Sequence, residues 1–351
     1  MNMSAMDMAP EWPAALLAWP VILAQALIFG SALFCLMLNR SAARHLRTGE
    51  AVATSMLGWW RLLALIVALV SPIMFVNEVA GMAGVSIRAA FPLLCEVLAQ
   101  TQSGHTWEWR LPAAVALMVV TWLPLREAAR SVLLVILCVG LFLLSSLKSH
   151  AIDFGAIAVA VRFVHALAAG TWTGSLFAYW VGARLHNSDD RVSVEAAKML
   201  SRQAAWSVSI LIVSGIYIAY EGLGHSLYHL LYSSYGRVLS LKVEVFVLIV
   251  MIGAYNRFYL IPALDRPSAR RTLLRAVGTE SLMIVGVIGL AALLSNTPPA
   301  RMSMSMSAAG MKATPVTTLS KNSGTHAGAP IAQRRDPYDL HKFIGLLTIR
   351  E

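Results

Sequence analysis

Residues 149–182 read SHAIDFGAIAVAVRFVHALAAGTWTGSLFAYWVG, and most of this stretch is apolar and long enough to cross a bilayer as one helix. Arg162 and His165 lie one turn apart within it, and Trp172 follows two turns beyond His165 on the same face. An ionisable side chain inside a membrane helix is costly, so His165 is a candidate functional residue. The alternative is a packed structural histidine bonded to a neighbouring hydroxyl or carbonyl group.

The composition of the whole chain places this helix in a membrane protein. Of 351 residues, 58% are hydrophobic and 13% are charged, whereas a soluble domain carries about 25% charged residues. We therefore expect an all-α fold, a polytopic helical bundle surrounded by the lipid bilayer. The net charge of +10 comes mainly from arginines in short loops between apolar runs. That placement is typical of membrane orientation signals and argues against nucleic-acid binding.

Eight apolar runs are predicted to span the membrane. They are residues 13–38, 57–80, 111–125, 131–147, 154–181, 204–220, 238–261 and 281–294. The segment 81–110 has a short apolar part interrupted by Pro92 and Glu96, so we expect it to lie at the outer membrane surface. Residues 184–202 and 265–275 are predicted to be cytoplasmic loops.

The basic residues orient the predicted spans. The first positive charges, Arg40, Arg44 and Arg47, follow the first span, and the most basic loop is 265–275. Because loops rich in Lys and Arg stay in the cytoplasm, both termini are expected to lie on the outer side of the membrane. The predicted parts are an external Met-rich N terminus (1–12), N-terminal helices (13–148), a second helical domain (149–299) and a disordered external tail (300–351).

Most histidines are predicted on the outer side of the membrane. His150 lies at the outer mouth, and His165 lies about 16 Å into its helix at 1.5 Å per residue. His225 and His229 are four residues apart in an outer loop, so they share a face if that loop is helical. Such a pair can hold a transition metal. The alternative is that this loop, rich in His and Tyr, simply anchors the chain at the interface.

Charged and small residues complete the predicted site. Lys242 and Glu78 lie near the outer ends of their helices, and we expect Lys242 to pair with Glu244 or Glu78 and to set the charge of an entrance. Gly170 and Gly174, four residues apart, predict a groove where the backbone of another helix approaches closely.

Methionines are concentrated at both external ends of the chain. The predicted copper ligands among them are Met1, Met3, Met302, Met304 and Met306. Thioether sulfur is soft and needs no deprotonation, so it favours Cu(I), and a segment without a core does not need methionine for packing. The alternative is chance repetition in a low-complexity tail.

A dispersed set of motifs resembles the copper resistance protein D family, the CopD/PcoD-type inner-membrane proteins. The motifs are SHA at 149–151, VHALAAGTWTGSL at 164–176, YGRVLSLKVEVF at 235–246, NRFYLIP at 256–262, LLRAVGTES at 273–281 and the closing Pro298-Pro299. The resemblance implies a role in copper tolerance and copper uptake, beside a small periplasmic copper carrier of the CopC type. It also implies that His150, His165 and Lys242 are candidate site positions.

The sequence therefore predicts a copper-handling membrane protein without enzymatic activity. Copper, more readily Cu(I) than Cu(II), would pass inward along a path shaped by Trp172, Gly170 and Gly174. Two alternatives remain open. Histidines on bundled helices also hold b-type haem, which would make the chain a membrane oxidoreductase. A membrane partner that only docks a periplasmic copper carrier is the other.

Overall fold

The computed structural model describes residues 12–40, 48–148, 155–185, 190–226 and 228–297, and every regular element within these ranges is helical. The helices are α1 (Trp12–Arg40), α2 (Thr48–Ala83), α3 (Ile87–Ala90), α4 (Leu94–Gln100), α5 (Gln102–Trp122), α6 (Glu127–Leu147), α7 (Ala156–Leu185), α8 (Asp190–Gly222), α9 (Tyr228–Tyr232), α10 (Ser234–Tyr255) and α11 (Pro267–Ser295). A 3-10 turn (Phe91–Leu93) joins α3 to α4. A π-helical turn (Asn256–Leu260) and a 3-10 turn (Ile261–Ala263) follow α10.

Helix α1 lies at the centre of the described bundle. It packs against α2, α6, α7 and α11. Of its 18-residue apolar stretch, 67% is buried, a larger share than in the other long apolar helices described. Small buried residues such as Ala24, Ala26 and Gly30 allow these neighbours to approach closely.

Seven described helices, namely α1, α2, α6, α7, α8, α10 and α11, are long and apolar enough to cross a membrane. The chain is therefore a multi-pass, all-helical membrane protein, as its composition predicts. The remaining predicted span, 111–125, corresponds to α5, whose first two turns are polar and lower its mean hydropathy.

Helix α5 runs alongside α2 in the opposite direction. Near one end, Trp107 donates its Nε1–H to Glu78 at 3.1 Å, and near the other, Arg61 Nε donates to the Thr121 carbonyl oxygen at 3.2 Å. Arg61 and Glu78 are 17 residues apart on α2, which corresponds to about 25 Å along a helix. Helix α5 therefore extends through the same thickness of the bundle as this part of α2.

The predicted surface segment, 81–110, is only partly correct. Its first three residues end α2, and residues 87–100 form α3, the 3-10 turn and α4, each too short to cross a bilayer. Its last part belongs to α5, which begins nine residues before the predicted start at 111. The Thr101 hydroxyl accepts a hydrogen bond from the Gly104 N–H at 2.9 Å, and this N-cap fixes the early start.

The predicted loops 184–202 and 265–275 are wrong in large part, since α8 and α11 begin within them. Both segments carry apolar residues at helical spacing among their charges. Ala197 and Leu200 of α8 and Leu273 of α11 are buried in the core. Burial of one apolar face stabilises these helical extensions beyond the purely apolar spans.

The two ends of the bundle are named here after residues that lie there. The Glu78 end holds the last turns of α2, α6 and α11 and the first turns of α5, α7 and α10, as the contacts of Glu78 with Lys148 and of Arg162 with Ser295 show. The Arg257 end holds the opposite ends of these helices.

Candidate functional site

His165 on α7 contacts α8 through its imidazole ring. Its Nδ1 is 2.8 Å from Ser214 Oγ, and the Ser214 hydroxyl donates to the Ile210 carbonyl oxygen at 2.5 Å. Because the single hydroxyl hydrogen is used in that bond, Ser214 Oγ accepts the hydrogen bond from His165 Nδ1–H. In the neutral imidazole the lone pair is then on Nε2, and this tautomer is a form of histidine that binds metal ions.

This geometry bears on both interpretations of His165. The hydrogen bond between Nδ1 and the serine hydroxyl agrees with the interpretation of His165 as a structural histidine. Nε2, however, has no hydrogen-bond partner among the helices that the structure describes. The ring also has room beside it, because a Cβ on Gly215 would lie 3.6 Å from His165 Cε1, at ordinary contact distance.

Two cations lie close enough to His165 to act on it electrostatically, Arg162 and Lys242. Arg162 Nη2 donates to Ser295 Oγ at 3.0 Å, which joins α7 to the end of α11. Tyr235 on α10 interacts with the same guanidinium. The candidate site is therefore an imidazole beside two positive charges, assembled from α7, α8, α10 and α11.

Trp172 and the predicted glycine groove lie further along α7. Trp172 is 5% exposed and packs edge to face against Phe246 of α10, with ring centroids 5.8 Å apart. A side chain on Gly30 of α1 would collide with the backbone of both Gly170 and Gly174. The predicted close backbone approach is confirmed, with α1 as the partner, while a role of these residues in a copper path stays a prediction.

The expectation that Lys242 pairs with a carboxylate is wrong for both predicted partners within the described residues. Glu78 forms its ion pair with Lys148 instead. Glu244 is exposed on α10 and forms no ion pair with Lys242. Glu78 lies on α2, which packs against α5, α6 and α7, so its carboxylate is committed to another side of the bundle.

Glu78 is the centre of a polar cluster at its own end of the bundle. Ser103 and Trp107 of α5 both donate hydrogen bonds to its carboxylate. The Lys148 ammonium also lies 4.5 Å from the centroid of the Trp107 ring. Burial lowers the pKa of Lys148, and the negative charge of Glu78 opposes that change.

His225 and His229 do not share a helix face. His225 has a left-handed backbone (φ 64°) in the turn after α8, and its Nε2 lies 3.4 Å from the Glu221 carboxylate. His229 is the second residue of the separate short helix α9. The continuous helix that a paired metal site requires is therefore not formed.

The remaining predicted ligands lie outside the described residues. They are His150, Met1, Met3, Met302, Met304 and Met306. Within the described ranges, no three His, Cys, Asp or Glu side chains come together as a metal site. The described part of the candidate site is thus His165 with its polar and charged neighbours.

Sequence reasoning did not select a buried pair nearer the Arg257 end. Glu280 on α11 is 3% exposed, and Asn256, 5% exposed, donates its Nδ2–H to the Glu280 carboxylate. The sequence signal that could have identified this pair is a glutamate near the middle of α11, beyond which the helix is uncharged.

Comparison with known proteins assigns the chain to a family. The profile described as "Copper resistance protein D" matches residues 194–294, and the profile "Copper resistance protein D-like, N-terminal domain" matches residues 8–155. A "Copper resistance protein D" from Pseudomonas syringae pv. tomato is 28% identical over 290 residues, which are 78% of this chain and 92% of that protein. The chain belongs to the copper resistance protein D family. No solved structure matches this chain.

Family membership confirms the resemblance predicted from the motifs. It supports a role in copper resistance and thereby the involvement of copper. His165 falls between the two matched segments, whereas Lys242, Asn256 and Glu280 lie inside the segment 194–294.

Proposed function

We propose that this protein moves copper ions from the periplasm into the cytoplasm, through the inner membrane, as part of copper resistance. The observation that carries the proposal is the imidazole of His165, whose Nδ1 is bonded to Ser214 and whose Nε2 is left available. A neutral imidazole binds copper without first losing a proton.

The charges beside His165 favour passage of copper over its storage. Arg162 and Lys242 act on His165 from α7 and α10. Like charges repel strongly where the dielectric constant is low, so both cations weaken the binding of a copper ion. A conduction site has to bind its ion weakly enough to release it.

The proposed direction rests on a topology of eight spans, with α5 as the third and both termini periplasmic. Arg61, Arg184 and Arg257, together with the basic first turns of α11, lie at the Arg257 end. Positive charge marks the cytoplasmic side, so the Glu78 end is periplasmic in this topology. His165 is nine residues into α7, about 14 Å from the periplasmic start of that helix.

Cu(I) is the proposed substrate, and the external methionines are its proposed first ligands. Met1 and Met3 precede α1, and Met302, Met304 and Met306 follow α11. In the proposed topology both groups are periplasmic, where thioether sulfur can accept Cu(I) from a CopC-type carrier. His165 then receives the ion at the start of its passage.

Copper accumulation in proteoliposomes tests the proposal. Vesicles that contain a trapped Cu(I) chelator are compared for wild-type protein, His165→Leu and His105→Leu. His105 is a matched control, because its side chain is 58% exposed on α5 and pairs only with Glu108 among the described residues. We expect loss of uptake in His165→Leu and normal uptake in His105→Leu.

Two results would contradict this function. Equal copper uptake by His165→Leu and wild type would remove His165 from the path. A Soret absorption band in the purified protein that His165→Leu abolishes would instead assign His165 to b-type haem.

A further inference from the structure

A buried carboxyl group lies in the half of the bundle away from His165. Glu280 is 15 residues before the end of α11 at Ser295, about 22 Å from the Glu78 end. Its side chain is 3% exposed, and Asn256 of the turn after α10 donates a hydrogen bond to it. The Asn256 Oδ1 atom is buried and has no hydrogen-bond partner in the described part of the chain.

No positive charge compensates this carboxyl group within the described residues. The titratable groups toward the Arg257 end of the helices packed around α11 are Cys35 and Arg40 on α1, Tyr179 and Arg184 on α7, and Tyr255, Arg257 and Tyr259 at the end of α10 and in its π turn. On α11 itself they are Arg270, Arg271 and Arg275. None of these forms an ion pair with Glu280; burial and the Asn256 bond are what act on its carboxyl.

The nearest arginines of neighbouring helices are committed elsewhere. Arg257 donates to the carbonyl and hydroxyl oxygens of Ser201 on α8, each at 2.9 Å. Arg184 lies over the ring of Trp180 at 4.1 Å from its centroid. An ionised Glu280 would therefore be an unpaired charge inside the membrane, which is costly, and the carboxyl holds a proton while no cation is present.

The backbone around Asn256 departs from a regular α-helix. Asn256 begins the π-helical turn, and such turns are frequent at functional sites. Gly253, one turn earlier, faces the acid, because a Cβ there would lie 3.8 Å from Glu280 Oε2. Asn256 Nδ2 binds one carboxyl oxygen and can do so in either protonation state, while Oε2 is left to exchange a proton.

We infer that Glu280 is a proton-exchange site that ionises when a copper ion passes through the half of the bundle near the Arg257 end. This inference rests on the proposed copper transport. The O–H bond of the Glu280 carboxyl breaks, the proton leaves to water at the Arg257 end, and the carboxylate left behind compensates the positive charge of the ion. When the copper ion leaves, the carboxylate takes one proton back from the same side.

This exchange explains why an acid lies in the path although carboxylate oxygen is a poor ligand for Cu(I). Soft Cu(I) favours sulfur and imidazole ligands. Glu280 therefore acts through its charge, and Asn256 is a positioning residue that holds one carboxyl oxygen in place.

Two measurements on the intact protein test the inference. The first is copper uptake into proteoliposomes by wild type, Glu280→Gln and Glu195→Gln. The protein is oriented with its Arg257 end toward the lumen, and the luminal pH is either neutral or acidic. Glu280→Gln keeps the bond to Asn256 and removes the proton, and Glu195 is an exposed control on α8. We expect wild-type and Glu195→Gln uptake to slow as the lumen is acidified. Uptake by Glu280→Gln should fall about tenfold or more and be insensitive to luminal pH.

The second measurement detects the proton without transport. A hydrophobic carbodiimide modifies protonated carboxyl groups in apolar surroundings, and mass spectrometry locates the product. We expect modification of Glu280 in wild type, none at that position in Glu280→Gln, and suppression in wild type by added Cu(I).

The two outcomes separate this inference from the proposed function. If wild type accumulates copper and Glu280→Gln does so at the same rate with the same pH dependence, the proton-exchange site is overturned and transport stands. If wild type accumulates no copper, transport is overturned. If carbodiimide modification of Glu280 is also unaffected by Cu(I), the proton-exchange site is overturned with it.

Discussion

A single serine hydroxyl decides what His165 can do. Ser214 gives its hydrogen to the backbone of its own helix and accepts Nδ1–H from His165. The free Nε2 lone pair therefore depends on a neighbouring helix, in the same way that groups around metal-binding histidines fix the tautomer and the ring orientation. The orientation of this candidate ligand on α7 therefore depends on the packing of α8 beside it.

Removal of that hydroxyl should weaken copper binding without removing the ligand. We expect Ser214→Ala to lower the affinity for Cu(I) by about 10–100-fold, because the ring is no longer held in one tautomer and orientation. Ser214→Thr keeps a hydroxyl and should restore most of the affinity. Competition with a coloured Cu(I) chelator measures the affinity. Ser209→Ala is the control, since Ser209 is exposed and bonds only to Ala205 of its own helix among the described residues. Equal affinities of wild type and Ser214→Ala would show that the hydroxyl has no part in copper binding.

Glu78 has a structural role at the Glu78 end of the bundle, away from His165. Ser103 and Trp107 donate to different oxygens of Glu78, so Glu78→Gln keeps an acceptor for one of them and leaves the Lys148 ammonium without its counter-charge. We expect a loss of about 1–3 kcal/mol in the free energy of unfolding, since the half-buried cation then lacks its partner. The thermal midpoint of the detergent-solubilised protein measures this loss. Glu108→Gln is the control: it changes an exposed carboxylate on α5, the helix of Ser103 and Trp107, and should leave the midpoint unchanged. A wild-type midpoint in Glu78→Gln would contradict the ion pair.

At the scale of the helices, the contact between α1 and α7 depends on the absence of side chains. Gly30 faces the backbone of Gly170 and Gly174, and Ser31 of α1 also accepts the indole N–H of Trp60 on α2 at 2.8 Å. The small residues let two membrane helices pack at backbone distance, where dispersion contacts are strongest. This contact also fixes the orientation of the helix that carries His165.

A methyl group at residue 30 should therefore separate the two helices. We expect Gly30→Ala to destabilise the protein by about 1–3 kcal/mol, because the surrounding backbone cannot yield as a side chain would. Gly58→Ala is the matched control, since a Cβ there meets nothing within 4 Å and alanine is the better helix former. The thermal midpoints of the two variants and wild type decide the point. A Gly30→Ala protein as stable as Gly58→Ala would contradict the close packing.

The sequence predicts elements well where one physical signal dominates. Uniformly apolar runs are sufficient to identify the seven long helices. The spacing of Gly170 and Gly174 predicts the close approach of another helix to α7. Helix ends in charged segments are missed, because the amphipathic first turns of α8 and α11 look like loops when only mean hydropathy is considered. The partner of Lys242 is missed for another reason. Which helix packs beside which is a property of the whole bundle and is not encoded in local spacing.

At the scale of the whole molecule, the candidate site and the buried acid lie on one side of α1. His165, Arg162 and Lys242 are near the Glu78 end, and Glu280 with Asn256 is nearer the Arg257 end. Helices α7, α10 and α11 contribute to this series of polar groups, while α2, α5 and α6 form the other part of the bundle. A path for an ion across the membrane needs such groups at successive depths, because each lowers the cost of a charge in a different part of the bilayer.

The side of the membrane on which each group lies depends on whether α5 crosses. If it does, residues 86 and 124, before and after α5, lie on opposite sides, and the number of spans is eight. Ser86→Cys and Pro124→Cys test this in a protein whose exposed Cys95 is changed to Ser; the other two cysteines are buried and should not react. We expect a membrane-impermeant maleimide to label position 86 in intact spheroplasts and position 124 only in inverted vesicles. The physical basis is the length of α5, which runs beside α2 from the level of Glu78 to that of Arg61. Labelling of both positions from the same side would leave seven spans and invert every helix after α5. His165 would then lie nearer the cytoplasm than Glu280, and the proposed order of the two sites along an inward path would be reversed.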